Sequence, residues 1–356
     1  MTRTATSTGL GRGTPPGATG SHASLTPRRR LQLLLAGLWV LDGLLKLQPF
    51  MFTKDFAPMT FSEATDGAPG WLASPIHSVS NLVGEHPVGL MILFALVELA
   101  IGFGIAWPRT VKLGLIGCVV WVPFLWFFAE GLGGLASGSP SAFDGAPGAS
   151  ILYGLLAVLL WPTERDGASA APGSTAVDSG PTGSGSTDSG AVEATRFIGT
   201  RAARAVWLVL WGLLAVLAFL PYNLASDAFS DTIAGNVQGA PVWYVSLLDH
   251  ATSWSSTKGA ELGIVFGLAL ALVALSVFAP WRRVVRAGIV LALVLSVLIW
   301  VFGEGLGMPF MGMGTDPDTA PLLAVIALVY WPRTRRAATS AATSTPPAVT
   351  PDGAAA

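Results

Sequence analysis

Long apolar runs separated by short polar segments dominate the chain, and their spacing predicts eight helices. Several runs approach the ~20 apolar residues that a helix needs to cross a bilayer. The predicted helices are Leu31–Gln48, Pro87–Trp107, Val111–Ala129, Ala149–Trp161, Ala205–Leu220, Gly259–Ala279, Val284–Gly303 and Thr319–Trp331. The pattern therefore predicts an all-α integral membrane protein with eight transmembrane helices.

The second half of the chain repeats the order of the first. The motif WFFAEGLGGLA at 126–136 returns as WVFGEGLGMPF at 300–310. Tryptophan and proline positions recur as well, at nearly constant spacing: Trp39 and Trp211, Pro49 and Pro221, Pro108 and Pro280, Trp161 and Trp331. Four helices in each copy are an even number, so both copies insert the same way up. We expect two parallel four-helix repeats related by a pseudo-twofold axis along the membrane normal.

Basic residues predict the orientation, because cytoplasmic loops carry an excess of Lys and Arg. With eight crossings, every basic cluster falls on one side: Arg28, Arg29, Arg30, Arg109, Lys112, Arg196, Arg201, Arg204, Arg282, Arg283, Arg286, Arg333, Arg335 and Arg336. The opposite loops are acidic apart from Lys54 and Lys258. The sequence thus predicts a multi-pass protein of the cell membrane with both termini in the cytoplasm.

Polar, low-complexity segments predict the domain boundaries. Residues 1–30 and 333–356 are rich in Gly, Ser, Thr, Pro and Ala, so we expect disordered cytoplasmic ends. Residues 163–203 have a similar composition and predict a flexible cytoplasmic linker. The two membrane repeats then occupy residues 31–162 and 204–332.

Composition narrows the classes of function. The chain is 52% hydrophobic and 12% charged, about half the ~25% charge of soluble domains. A net charge of −1 argues against a nucleic-acid partner. The single cysteine, Cys118, lies in an apolar run, which excludes a disulfide framework and a thiolate metal site within the chain. No nucleophile–base, phosphate-loop or nucleotide motif is present. The oligomeric state stays open.

The glutamate of each EGLG turn is unusually placed. Glu130 and Glu304 end an apolar helix, where the helix dipole disfavours a carboxylate, and Gly131 and Gly305 follow them. The next helix is too short to cross the ~30 Å hydrocarbon core alone, so the chain between must dip back inwards. Each glutamate either accepts hydrogen bonds from the turn's own N–H groups, faces a cavity and binds a proton or ligand, or lies on the surface. In the second case, Glu304, Gly131 and Gly305 are the candidate substrate-binding residues.

Ionisable residues far from the cytoplasmic and outer ends of the predicted spans occur in the first copy. Asp42 and Lys46 lie one helical turn apart, and Glu98 lies near mid-membrane. The second copy has Leu214, Ala218 and Leu270 at these positions. Charges inside a membrane are costly and mark functional sites by default, so Asp42, Lys46, Glu98 and Glu130 are the candidate catalytic residues. The alternative is structural, with Asp42 and Lys46 pairing within their helix and a protonated Glu98 bonding across helices.

The same residues carry a resemblance to a known family. The stretch GLWVLDGLLKLQPFMF followed by ELAIGFGIAWP resembles the DoxX/DoxD-like four-helix membrane proteins, with Glu98, Gly102 and Gly104 matching the second-span pattern. The resemblance covers about residues 31–162 and reaches the second copy through the internal repeat. It implies a quinone-linked redox role, with quinone as cofactor and a soluble redox partner.

Methionines suggest a different function. Met308, Met311 and Met313 lie in MPFMGMG, after the second EGLG turn. Thioethers favour Cu(I), although methionine more often fills irregular apolar gaps. A transporter or copper-handling protein with a Met and carboxylate site is therefore an alternative, and a non-catalytic membrane scaffold is another.

Overall fold

The computed structural model describes residues 25–163, 192–312 and 314–332, which form helices and turns with no strand among them. The predicted disorder of residues 1–24 and 333–356, and most of the predicted linker, lie outside this described part. The all-helical class predicted from the sequence is confirmed for the described residues.

Twelve α-helices make up the described chain, six in each half. The first half contains α1 (Pro27–Leu45), α2 (Phe56–Thr65), α3 (Gly70–Glu85), α4 (Pro87–Ala106), α5 (Val111–Phe124) and α6 (Ala149–Leu159). The second half contains α7 (Thr195–Ala218), α8 (Ala228–Gly235), α9 (Val242–Ser255), α10 (Gly259–Ser276), α11 (Arg282–Leu298) and α12 (Thr319–Val329). Both α5 and α11 continue into a wider π-helical turn, Leu125–Ala129 and Ile299–Gly303, that ends at the glutamate.

Within the described part of the chain, five helices are long and apolar enough to cross a membrane: Pro87–Ala106, Val111–Ala129, Thr195–Ala218, Gly259–Ser276 and Arg282–Gly303. Large apolar side chains such as Phe103, Val120 and Leu268 are exposed on their outer faces, as expected for contact with lipid. The chain is therefore a multi-pass membrane protein. Helices α6 and α12 have 11 residues each, in keeping with the short fourth helix predicted in each copy.

Four helices lie where the sequence predicted loops. In each half, a long connection separates the first and second predicted spans. Helices α2 and α3 fill this connection in the first half, and α8 and α9 fill it in the second half. In α3, Leu72, Ile76 and Val83 are buried on one face. These helices are amphipathic rather than uniformly apolar, so a search for membrane-length apolar runs does not find them.

Two predicted boundaries need correction. Helix α1 begins at Pro27 and not at residue 31, because Thr26 caps it and Pro27 occupies its first turn. Helix α7 begins at Thr195, with a break at Gly199 (φ 79°), so residues 195–203 are not an unstructured linker. Both segments are held by a buried salt bridge of 3.0 Å between Arg28 Nε and Glu193 Oε2.

The two halves are interlocked through their last loops. The loop before α6 inserts Phe143 into the second half, 4.6 Å from Phe229 between ring centroids. The loop before α12 crosses the other way and places the Thr315 carbonyl against Lys46. Helices α6 and α12 pack against each other at the centre. Each half therefore completes its interior with a segment of the other.

Candidate functional site

A small cavity in the first half contains most of the candidate catalytic residues. Its volume is ≈ 70 Å³. Asp42, Lys46, Glu130, Ser150, Tyr153 and Asp316 form its polar wall, and Phe56, Phe61, Met91, Phe94, Phe124 and Phe128 form most of its apolar wall. The aromatic residues come from α2, α4, α5 and the π-helical turn, so the helices that the sequence pattern missed build part of the site.

A buried ion pair closes the base of this cavity. Lys46 Nζ lies 2.9 Å from Glu98 Oε2, and Glu98 is 0% exposed. Lys46 Nζ also donates to the Thr315 carbonyl at 3.1 Å. The lysine thus pairs across helices with Glu98 rather than with Asp42 on its own helix. Taking both charges out of water is costly, and the close pairing offsets that cost.

Asp42 lies beside this pair without a hydrogen-bond partner on one oxygen. The residue is 2% exposed, and Asp42 Oδ1 accepts no hydrogen bond in the described part of the chain. The hydroxyl of Tyr153 lies close enough to interact with the Asp42 carboxyl. The structure therefore brings together Asp42, Lys46, Glu98 and Glu130, the four candidate catalytic residues.

The two EGLG glutamates cap the helices that follow them. Ser150 donates to Glu130 Oε1 through its backbone N at 2.8 Å and its Oγ at 2.6 Å. In the second half, the backbone N of Ala320 donates to Glu304 Oε2 at 3.0 Å. Ser150 is the second residue of α6, and Ala320 is the second residue of α12. Free N–H groups at the start of a helix favour a negative charge. The donors thus belong to the next helix and not to the turn itself.

The second oxygen of each glutamate has no partner among the described residues, namely Glu130 Oε2 and Glu304 Oε1. Burial raises the pKa of Glu130 to about 7, with Asp316 adding to the rise and the Ser150 hydrogen bonds opposing it. Burial likewise raises the pKa of Glu304 to about 8, against the hydrogen bond from Ala320. Near neutral pH each carboxyl can therefore hold or release a proton.

A larger vestibule lies between the halves and adjoins the cavity. Its volume is ≈ 340 Å³, and it shares Thr60, Ala129, Glu130, Ala149, Thr315 and Asp316 with the cavity wall. Its carboxylates are Glu130, Asp144, Glu304, Asp316 and Asp318. Glu130 thus stands at the boundary between the two spaces, and Glu304 faces the vestibule.

Gly131 and Gly305, the candidate substrate-binding glycines, line neither space. Gly131 (φ +53°) lies so close to α2 that a Cβ would come within 1.9 Å of the Ala64 carbonyl oxygen. A Cβ on Gly305 (φ +57°) would meet the Asn236 side chain at 2.8 Å. Their left-handed backbone and close packing require glycine, so they shape the turn rather than contact a substrate.

Of the three candidate metal ligands, only Met308 has a described side chain. Met308 lines the vestibule, whereas Met313 and the side chain of Met311 lie outside the described residues. Within residues 25–163, 192–312 and 314–332, no group of three or more His, Cys, Asp and Glu side chains has an arrangement that holds a metal ion.

Among the described residues, the second half has no ionisable side chains at the positions of Asp42, Lys46 and Glu98. Leu214, Ala218 and Leu270 are buried where the first half has Asp42, Lys46 and Glu98. Phe143 of the first half packs there against Phe229 and Phe266. The polar site is therefore single although the fold is repeated.

Sequence reasoning did not select Ser150, Tyr153 or Asp144 for the site. Asp316 and Asp318 fall in the acidic loops predicted opposite the basic clusters, but the sequence pattern does not place them at the site. The signal that could have found Ser150 is the requirement of a short helix for an N-terminal cap, which neither Gly148 nor Ala149 supplies.

Comparisons with known proteins add no family to this description, since no protein-family model, curated protein or solved structure matches the chain. The fold and the site together define a multi-pass helical membrane protein with a buried ion pair beside an acidic vestibule.

Proposed function

We propose that this chain is a DoxX/DoxD-like membrane protein that handles protons at the first-half cavity. The observation that carries the proposal is the buried Lys46–Glu98 pair, which lies beside Asp42 at the base of a cavity bounded by Glu130. Ionisable groups inside a membrane commonly form proton relays. Asp42 and Glu130 each have an unpaired oxygen that can take a proton arriving from the vestibule.

A quinone-linked role is supported by the wall of the cavity. Five phenylalanines and Tyr153 suit a planar ring, and Lys46 can donate to a quinone oxygen. The cavity of ≈ 70 Å³ is smaller than the ~150 Å³ that accommodates benzene, so a quinone ring would need part of the adjoining vestibule. Proton handling therefore comes first in the proposal, with quinone as the redox partner molecule and a soluble protein as the source of electrons.

The proposed architecture is eight spans in two parallel repeats with both termini in the cytoplasm. The order of elements is the same in both halves, including the π-helical turn and the short last helix. This order and the one-sided basic clusters support the proposal. The vestibule would then open on the outer side, where the fourth helices begin.

The test measures proton entry into proteoliposomes that contain a pH-sensitive dye, driven by a potassium diffusion potential. Wild-type protein should acidify the lumen, and Glu98→Gln and Lys46→Met should lower the rate at least about tenfold, because each breaks the buried pair. Glu261→Gln, an exposed glutamate on α10, is the matched control and should behave as wild type.

Two results would reject proton handling. One is a wild-type rate equal to that of empty liposomes, with or without a short-chain quinol. The other is an equal rate in Glu98→Gln and wild type at matched protein content. Insertion of all variants with unchanged melting temperature and no flux would favour a scaffold, whereas copper-dependent flux would favour metal transport.

A further inference from the structure

The vestibule between the halves has a concentration of carboxyl groups that proton handling in the cavity does not require. We propose that it binds a small aliphatic amine, with the ammonium groups of a diamine held by carboxylates from both halves. This inference goes beyond proton handling and does not depend on it.

The charge of the vestibule is one-sided. Five carboxylic residues line it, and none of its described lining residues is basic. Lys46, the nearest cation at the base of the adjoining cavity, is already paired with Glu98. Carboxylates in one confined space repel each other and favour any cation that enters. Electrostatics therefore selects a positively charged ligand.

Two buried carboxyl oxygens without hydrogen-bond partners lie behind the wall of the vestibule. Glu304 is 5% exposed, and its Oε1 has no partner in the described structure although Oε2 caps α12. The equivalent oxygen in the first half, Glu130 Oε2, is also buried and unpaired. They lie next to glycines of the vestibule wall, Glu304 Oε1 beside Gly145 and Glu130 Oε2 beside Gly148. One acceptor from each half suits a ligand with two donor groups.

The shape of the site favours an organic cation over a metal ion. No three metal-binding side chains among the described residues converge on a common point. The volume of ≈ 340 Å³ lies in the ~300–1,000 Å³ range of small-molecule sites. No aromatic side chain lines the vestibule, so it is not a cage for a quaternary ammonium. Hydroxyls of Thr60, Ser137 and Thr315 are instead present for a primary ammonium with three N–H donors.

Asp318 adds an independent argument. It occupies the residue before α12, with φ +69°, where the first half has Gly148 with φ +95° before α6. A non-glycine residue in this region costs free energy, and such strain is concentrated at functional sites. The Asp318 side chain makes no capping hydrogen bond to α12, because Glu304 does so instead. The carboxylate is thus not explained by the fold.

Proton release gives the inference a measurable signature. The raised pKa of Glu304, about 8, means that much of this carboxyl is protonated at neutral pH, with Asp144, Asp316, Asp318 and Glu130 as the titratable groups around it. Helix α12 faces it with the backbone N of Ala320, and none of the described residues lining the vestibule is basic. A bound ammonium favours the ionised form, so amine binding should release protons and strengthen from pH 6 to pH 9.

The experiment is calorimetric titration of the full-length protein in nanodiscs with 1,4-diaminobutane, n-butylamine and n-butanol. We expect affinity to fall in that order, with butanol showing no saturable heat, and proton release that scales with buffer ionisation enthalpy. Asp318→Gly should weaken diamine binding about tenfold, because it removes one charged contact to the ligand. The melting temperature of this variant should be equal to that of wild type or higher, because glycine relieves the strain of the positive φ. Asp249→Asn on α9, outside the vestibule, is the matched control.

Three outcomes would overturn the inference. They are equal binding of diamine and butanol, unchanged diamine affinity in Asp318→Gly with wild-type melting temperature, and saturable binding of Ca²⁺ with none of diamine. If Asp318→Gly unexpectedly misfolds, Glu304→Gln provides the same comparison, because its amide oxygen keeps the cap on α12 and removes the charge. Glu98→Gln should retain diamine binding, so failure of proton handling and failure of amine binding are separable.

Discussion

At the residue scale, the carboxylate at the end of a hydrophobic run has a simple physical role. Glu130 and Glu304 each end one helix and cap the next, so an unfavourable position at one helix terminus becomes a favourable one at another. The sequence predicted a hydrogen-bonded or a ligand-facing carboxyl as alternatives. In the structure one oxygen of each side chain accepts a hydrogen bond from the following helix, and the other has no hydrogen-bond partner among the described residues.

The environment of Glu304 depends on the loop before α12. Asp316 and Asp318 both interact with Glu304 electrostatically. Only the fold of this loop brings the two residues back to the turn, and linear spacing does not reveal that return.

Thermal stability should depend on pH through these two glutamates. Their pKa values of about 7 and about 8 exceed the ordinary value near ~4.3, so the folded protein binds these protons more tightly than the unfolded chain. The resulting stability is fully present below about pH 4.3 and is lost as the pH rises through about 7 to 8. We expect the melting temperature of purified protein to fall across this window.

Glutamine variants test the assignment directly. Glu130→Gln and Glu304→Gln should each flatten part of the pH profile, since an amide accepts the capping hydrogen bond but does not ionise. The double variant should flatten most of it, whereas Glu261→Gln should keep the wild-type slope. A wild-type slope in the double variant would show that other groups carry the pH dependence.

At the element scale, the sequence identified the apolar helices well and the amphipathic ones not at all. The predicted spans Pro87–Trp107 and Gly259–Ala279 match α4 and α10 at their first residue and end one to three residues beyond them. The helices α2, α3, α8 and α9 bury only a narrow face and lack a membrane-length run. The aromatic wall of the cavity depends on α2, so half of the site's shape was inaccessible to pattern reasoning.

Gly303, at the end of the π-helical turn that follows α11, packs against Phe143 in the loop before α6, and this contact gives a prediction. A Cβ on Gly303 would lie 1.8 Å from the Phe143 carbonyl oxygen, although the equivalent first-half residue is Ala129. Gly303→Ala should thus lower the melting temperature by about 5–10 °C, an overpacking cost on the order of 3 kcal/mol. The internal repeat alone would have predicted a harmless change.

The control for this prediction is another helical glycine. Gly212 in α7 has no atom within 4 Å of an added Cβ, so Gly212→Ala should be neutral or stabilise by about 1 kcal/mol through helix propensity. Equal melting temperatures for the two alanine variants would mean that the Phe143 loop yields easily. In that case the interlock contributes little to stability.

At the scale of the whole molecule, duplication predicted two similar bundles but not their exchange of loops. Lys46 binds the Thr315 carbonyl, and Thr319 Oγ1 donates to the Gly145 carbonyl at 2.6 Å. Such contacts join residues far apart in the sequence, and no periodicity encodes them. The exchange explains how a repeated fold holds a single polar site, because Phe143 fills the second interior while Thr315 and Asp316 line the first.

The arrangement of the whole chain across the membrane can be tested by cysteine labelling. The native Cys118 is 0% exposed, so it gives little background, and a Cys118→Ala chain removes the rest. In the eight-span proposal, Ser139 lies before α6 and Ser226 lies after α7, both on the vestibule side of the membrane. Both side chains are exposed. Ser139→Cys and Ser226→Cys should therefore react with an impermeant maleimide in intact cells.

Thr175→Cys and Ser344→Cys should react only after permeabilisation, because the linker and the C-terminal tail both adjoin basic clusters that favour the cytoplasm. The five helices long and apolar enough to cross a membrane do not alone require Thr175 and Ser344 to share a side, whereas two even repeats do. Labelling of Thr175→Cys from outside would place an odd number of crossings in the first half, and the parallel relation of the repeats would fail with it.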